Sequence, residues 1–153
     1  MTLQEIFAME NANSLIIALD EYVGKKCAYG ENMGALSVPE RIFYITQSLE
    51  MEVNNGGFSQ FFFNASGNFS SELVHAFTEI GAPKTAAICQ KALEAFGKGL
   101  PADCEERRDL LDEMESDEID EILEECDDSF YAYEDDLNAL NHAYVMKNKA
   151  YFA

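Results

Sequence analysis

Histidine is nearly missing from this chain: two residues in 153, His75 and His142. Acid–base catalysis and metal ligation near neutral pH therefore have few candidates. Cysteine is sparse as well. Cys27, Cys89, Cys104 and Cys126 lie far apart with no Cys-x-x-Cys pair, which argues against a zinc knuckle or a thioredoxin-type centre and reads as buried, reduced thiols. There is no Gly-x-Ser-x-Gly elbow, no phosphate-binding loop and no dinucleotide fingerprint, so no catalytic residue is assigned and no enzyme is expected. The ten basic residues are scattered, which argues against direct nucleic-acid binding. Long apolar runs are missing too. Glu5, Glu10, Asn11, Asn13 and Asp20 interrupt the N-terminal pattern before it reaches membrane length, and the expectation is a cytoplasmic protein that does not enter a membrane.

What the chain has in excess is acid. Its formal net charge is −19, and the stretch from Asp103 to Asp136 holds eighteen Asp and Glu against two bases, Arg107 and Arg108. A run of this kind reads either as a solvated helix face or as a surface kept for a basic partner. It is not low-complexity, because Leu110, Leu111, Met114, Ile119, Ile122, Leu123 and Cys126 recur at helical spacings. The acids therefore ride on packed helices. Between Asp103 and Asp128, fifteen acids and two arginines would lie along about 39 Å if fully helical, one net charge per about 3 Å, against about 3.4 Å along one strand of B-DNA. A break near Ser116 and Asp117, both good N-cap residues, divides the segment into two helices.

The rest of the pattern is helical, and the fold class is all-α: one compact domain spanning 1–153, a bundle of about seven or eight helices with no substantial sheet. An amphipathic first helix runs from Leu3 to near Gly24, with Asn11 to Asn13 as the place where it can be interrupted. Residues 29–38 read as a loop. Pro39 opens a second helix that Asn54, Asn55, Gly56 and Gly57 end, and Phe58 to Phe63 form a short buried one. Ser70 or Ser71 caps a helix that Gly81 terminates; Pro83 opens another that closes at Gly97. A last helix starts at Tyr131 or Glu134 and ends at Lys149, with Lys147 and Lys149 in its final turns.

Two metal patterns are testable in the sequence. Glu72-Leu73-Val74-His75 has the Glu-x-x-His spacing of dimetal bundles, but the second copy is missing because Ala139 stands three residues before His142. The acidic run contains no glycine for a calcium loop. No metal site and no cofactor are expected, and His75 reads as a surface residue.

The segment Glu52-Val53-Asn54-Asn55-Gly56-Gly57-Phe58-Ser59-Gln60-Phe61-Phe62-Phe63-Asn64, with Gly67 after it and Ile80-Gly81-Ala82 beyond, resembles the signature of a family of small helical bacterial domains of unknown function whose best-known member is an acidic DNA-mimic protein. Cys126 to Tyr131, leading into the last helix, is similar to the same family, so the resemblance covers residues 40–152. It implies an all-α fold, a homodimer in many members, no enzymatic activity and, for the mimic, an acidic surface that occupies a transcription regulator's DNA-binding face. Within the motif, Gly56 and Gly57 permit a sharp turn, Phe58, Phe61 and Phe62 enter the core, Asn55 and Asn64 bond the exposed backbone of the turn, and Gln60 belongs to the same structural unit.

Two functions follow from this reading. In the first, Asp109, Asp112, Glu113, Asp117, Glu118, Asp120, Glu121, Glu124, Glu125, Asp127 and Asp128 bind a basic DNA-binding protein and block its access to DNA. In the second, the same acids form an immunity or antitoxin-like module that neutralises a basic toxin or nuclease without imitating DNA.

Overall fold

Capping residues set the helix boundaries at the N-terminus. Thr2 forms a capping box with Glu5 and opens α1 (Leu3–Phe7); Asn11 accepts from Ser14 N and opens α2 (Ala12–Lys26). Each satisfies an amide that the first turn leaves without a partner. The N-terminal pattern is thus two helices, divided at Asn11. The computed structural model describes residues 1–97 and 99–153. After 3-10 turns at Ala28–Gly30 and Met33–Ala35, Ser37 and Glu40 form a second capping box for α3 (Val38–Phe63). Glu40 is fully buried and is also held by Lys26 Nζ at 2.9 Å.

The remaining helices are α4 (Leu73–Glu79), α5 (Pro83–Glu94), α6 (Cys104–Met114), α7 (Asp117–Tyr131) and α8 (Leu137–Lys147). Eight helices and no strand occur among the described residues, the all-α class that the apolar periodicity indicated. Helix α3 is the hub, packing against α2, α4, α6, α7 and α8. Its opposite sides serve two apolar clusters. Ile42, Ile45, Leu49, Val53, Phe58, Phe61 and Phe62 join the larger one with Leu73, Phe77, Phe96, Leu123 and Phe130. Phe43 joins Ile6, Leu15, Leu19, Val145 and Phe152 in the other. Phe58, Phe61 and Phe62 are all 0% exposed, each contributing about 1.5 to 3 kcal/mol through burial. Phe62 meets Phe61 and Phe96 edge to face at 5.6 and 5.4 Å, the arrangement the ring quadrupole favours.

Boundary expectations are corrected at three points, the first being the last helix, which starts at Leu137 behind its cap Asp136 and not at Tyr131 or Glu134. Neither Ser70 nor Ser71 caps α4: residues Ala65–Glu72 form a 3-10 segment that feeds α4 through Glu72, and the Ser70 hydroxyl donates to Gly67 O at 2.6 Å. Lys149 lies past the end of α8, in a 3-10 turn, with its ammonium over the Phe7 ring at 5.2 Å. Of the four thiols, Cys27, Cys89 and Cys126 are buried and unpaired, whereas Cys104, at the start of α6, is half-buried. No helix of the described residues is long and apolar enough to cross a membrane.

Candidate functional site

The acidic segment folds as two helices that meet at a break. Asp103 caps α6 by accepting from Glu106 N at 2.9 Å, and Ser116 caps α7 by accepting from Ile119 N at 3.2 Å. Acids in both first turns, Glu105 and Glu106 in α6 and Asp117, Glu118 and Asp120 in α7, oppose the positive end of the helix dipole favourably. At the other end of α7 the sign is wrong: Asp127 and Asp128 sit near the C-terminus and no base occupies the last turn. Leu123, Cys126 and Phe130 are the buried residues that anchor α7, and α6 is anchored by Arg107 and the half-buried Leu111 and Met114.

Ten of the eleven acids singled out in the sequence are exposed: Asp109, Asp112, Glu113, Asp117, Glu118, Asp120, Glu121, Glu124, Glu125 and Asp128. One of these has an ion-pair partner among the described residues, Glu125, whose Oε2 lies 2.8 Å from Lys91 Nζ. On α7 alone, eight acids and no base lie along about 22 Å of axis. The spacing is again close to the phosphate spacing of one DNA strand, about 3.4 Å.

Asp127 is the exception. It is half-buried, its Oδ1 accepts from Phe58 N at 2.7 Å, and burial pushes its carboxyl above the ordinary value while the Phe58 N–H opposes that shift. Its placement follows from the glycine pair. Gly57 has φ +79 and ψ 179, a conformation essentially restricted to glycine, and a Cβ there would strike the Asp127 carboxylate. The axis of α3 breaks at Gly56 and Gly57, so the sharp turn and the short buried helix after it are both present, and Asp127 caps that second piece from a different helix. Tyr131, one turn further along α7, donates its hydroxyl to Val53 O at 2.8 Å just before the break.

The polar residues of the motif do not bond the turn backbone. Asn55 Nδ2 donates to Gln60 Oε1 at 3.3 Å, while Gln60 Nε2 and Asn64 Nδ2 donate to Glu52 Oε2 at 2.6 and 3.0 Å. Ser66 Oγ completes the set by donating to Glu52 Oε1 at 3.0 Å. Glu52 is 8% exposed, and a carboxylate taken from water needs such donors. A second unit lies beside it. Arg107 is 0% exposed; its Nε donates to Phe62 O, Nη1 to Pro101 O and Ala102 O, and Nη2 to Asn64 O, at 2.6 to 3.1 Å. Burial pulls its pKa down from the ordinary value, yet a guanidinium keeps its proton. Gly67 lets the chain pass, since a Cβ there would come within 2.6 Å of Phe61 O and 3.0 Å of Arg107 Nε.

Sequence reasoning missed Glu52 and Arg107 as organising residues. Glu52 stands inside the motif and Gly67 just after it, which was a usable signal. Nothing local distinguishes Arg107 from its neighbour Arg108. The Glu72-x-x-His75 pattern holds no paired ligands: Glu72 binds Arg41 through two bonds of 2.6 and 2.7 Å, and His75 is exposed. Among the described residues no group of three or more His, Cys, Asp or Glu is arranged to hold a metal ion.

Residues 34–148 match the family described as DMP19-like protein. The chain belongs to the DMP19-like protein family. The match starts six residues before the span read from the sequence resemblance, ends four before it, and includes all of α3 to α8. Helices α1 and α2, which build the second apolar cluster against Phe43, Val145 and Phe152, lie outside the DMP19-like region. No curated protein and no solved structure matches the chain.

Proposed function

We propose that this protein is a DNA-mimic-like inhibitor: it binds a basic DNA-binding protein through α6 and α7 and blocks that protein's access to DNA. The observation that carries the reading is the set of ten exposed acids on two rigid helices, nine of them without an ion-pair partner among the described residues. Membership in the DMP19-like family supports it. Arg107, one of the two bases in the segment, is turned inward onto carbonyl groups and takes no exposed acid as an ion-pair partner. A surface of this sign repels nucleic acid and draws a basic protein by long-range attraction.

The test is competition. A basic partner captured from native lysate at low salt should be released both by raised salt and by duplex DNA, and the isolated protein should not bind DNA itself. Release by salt but not by DNA would favour the acidic neutraliser of a basic toxin or nuclease. A complex indifferent to both would overturn the electrostatic reading altogether.

A further inference from the structure

The acidic face is interrupted where α6 ends and α7 begins. A notch of about 190 Å³ opens there, lined by Phe63, Phe96, Leu111, Met114, Ile119 and Leu123. Phe96 and Leu123 form a floor at 3% and 4% exposure, Leu111, Met114 and Ile119 are half-buried, and the Phe63 ring is 49% exposed. The carboxylates of Asp112, Glu115 and Asp120 also line it, and all three residues are exposed. Arg108 is committed to Phe63, its guanidinium 4.3 Å from the ring centroid and its Nε donating to Phe63 O at 2.8 Å.

A cavity of about 150 Å³ lined by apolar side chains accommodates a benzene-sized group, so this notch has room for one side chain and not for a helix. Its rim selects the occupant. Carboxylates beside an apolar floor disfavour a phosphate, a lipid headgroup or an acidic peptide and favour an apolar group carried between positive charges. Protein interfaces have this anatomy, an apolar anchor point inside a polar margin, and their affinity concentrates at the anchor.

We propose that the notch between α6 and α7 receives a single aliphatic side chain from a basic segment of the partner protein, with Lys or Arg on either side of it meeting Asp112, Glu115 and Asp120. This rests on the reading of α6 and α7 as a surface for a basic protein, and adds to it a contact that charge alone does not supply. Charge sets the rate of encounter and responds to salt; the seated side chain sets residence and responds little.

Two labelled synthetic peptides test the idea by fluorescence anisotropy with the full chain. Both are Lys-rich and equal in length and charge; one carries a central Leu and the other a central Ser. The Leu peptide should bind about tenfold more tightly, a difference of about 1.4 kcal/mol, and the ratio should persist as salt lowers both affinities. Met114→Gln, similar in size, should erase the ratio while leaving the Ser peptide unchanged, with a lowered melting temperature but the same helical circular-dichroism signal at the assay temperature. Equal binding of the two peptides, or a Leu preference that survives in M114Q, overturns the notch and leaves the electrostatic surface standing. Failure of both peptides to bind at low salt overturns both readings.

Discussion

Glu52 and Glu121 are glutamates on helices of the same domain-sized chain, and their surroundings are opposite. Glu52 is 8% exposed and receives hydrogen bonds from Gln60, Asn64 and Ser66. Glu121 is exposed, with its neighbours at i−4 and i+4, Asp117 and Glu125, both acidic. Around the glycine break Asn54, Asn55, Gln60 and Asn64 each meet a side-chain partner, and Arg107 alone satisfies four carbonyl oxygens. Across α6 and α7 the carboxylates face water and repel one another. The first region spends its polar atoms on holding the fold; the second leaves them available to something outside it. Asp127 belongs to both, since it lies on the acidic helix and caps the segment that begins at Phe58.

If this division is right, substitutions should sort by region. The largest loss should come from Arg107→Met, which leaves the carbonyls of Phe62, Asn64, Pro101 and Ala102 without their donor. We expect about 3 to 5 kcal/mol of lost stability in urea denaturation; a loss under about 1 kcal/mol, the range of ordinary surface changes, would put Arg107 with the surface residues and break the comparison. Gly57→Ala follows at about 2 to 3 kcal/mol, because φ +79 with ψ 179 is strained for any residue with a Cβ, and the Asp127 carboxylate must also move. In thermal melts that corresponds to a drop of roughly 4 to 12 °C, and an unchanged melting temperature would show that the break tolerates a side chain.

Asp20 sharpens the comparison from a third position, as a half-buried acid with no ion pair or side-chain hydrogen bond among the described residues. Burial first, then Glu21 and Glu50, raises its pKa from 3.8 to about 6. A carboxyl shifted upward holds its proton more tightly in the folded state, so between about pH 4 and pH 6 stability falls as pH rises, and the charged form opposes folding at pH 7. Asp20→Asn should therefore raise stability at pH 7 by about 1 to 3 kcal/mol and do nothing below about pH 4. A gain that is the same at both pH values would assign the effect to something other than the charge.

The smallest stability change, and the largest functional one, is expected from reversing Asp117, Asp120, Glu121 and Glu124 to Lys together. Reversal turns the i,i+4 repulsions of Glu121 with Glu125 and of Glu124 with Asp128 into attractions of about 0.2 to 0.5 kcal/mol each, offset by the loss of Asp117 and Asp120 from the first turn, so the quadruple variant should melt at about the same temperature at low salt, while losing the basic partner. Retained binding would reduce α7 to a solvated face. Collapse of the fold would mean that these carboxylates have structural partners, and the contrast with Glu52 would disappear.

The amino-acid order by itself determined the helices, because apolar spacing and capping chemistry act within a few residues: Asn11, Ser116 and the glycine pair mark their breaks without help from the rest of the chain. It also determined which aromatics of the motif are buried, since Phe58, Phe61 and Phe62 share one helical face, and, Asp127 excepted, which of the singled-out acids are exposed, since the residues interleaved with Ile119, Ile122 and Leu123 must point elsewhere. Long-range pairings were decided only by the tertiary structure. Glu52 meets Ser66, Asp127 meets Phe58 across 69 residues, and Arg107 reaches Phe62 and Asn64 across more than 40. Nothing in the local sequence separates Arg107 from Arg108 or Asp127 from Asp128. What separates them is the direction of each side chain once its helix docks: Arg107 and Asp127 are turned toward buried backbone groups that must be satisfied, whereas Arg108 lies over the exposed Phe63 and Asp128 faces water.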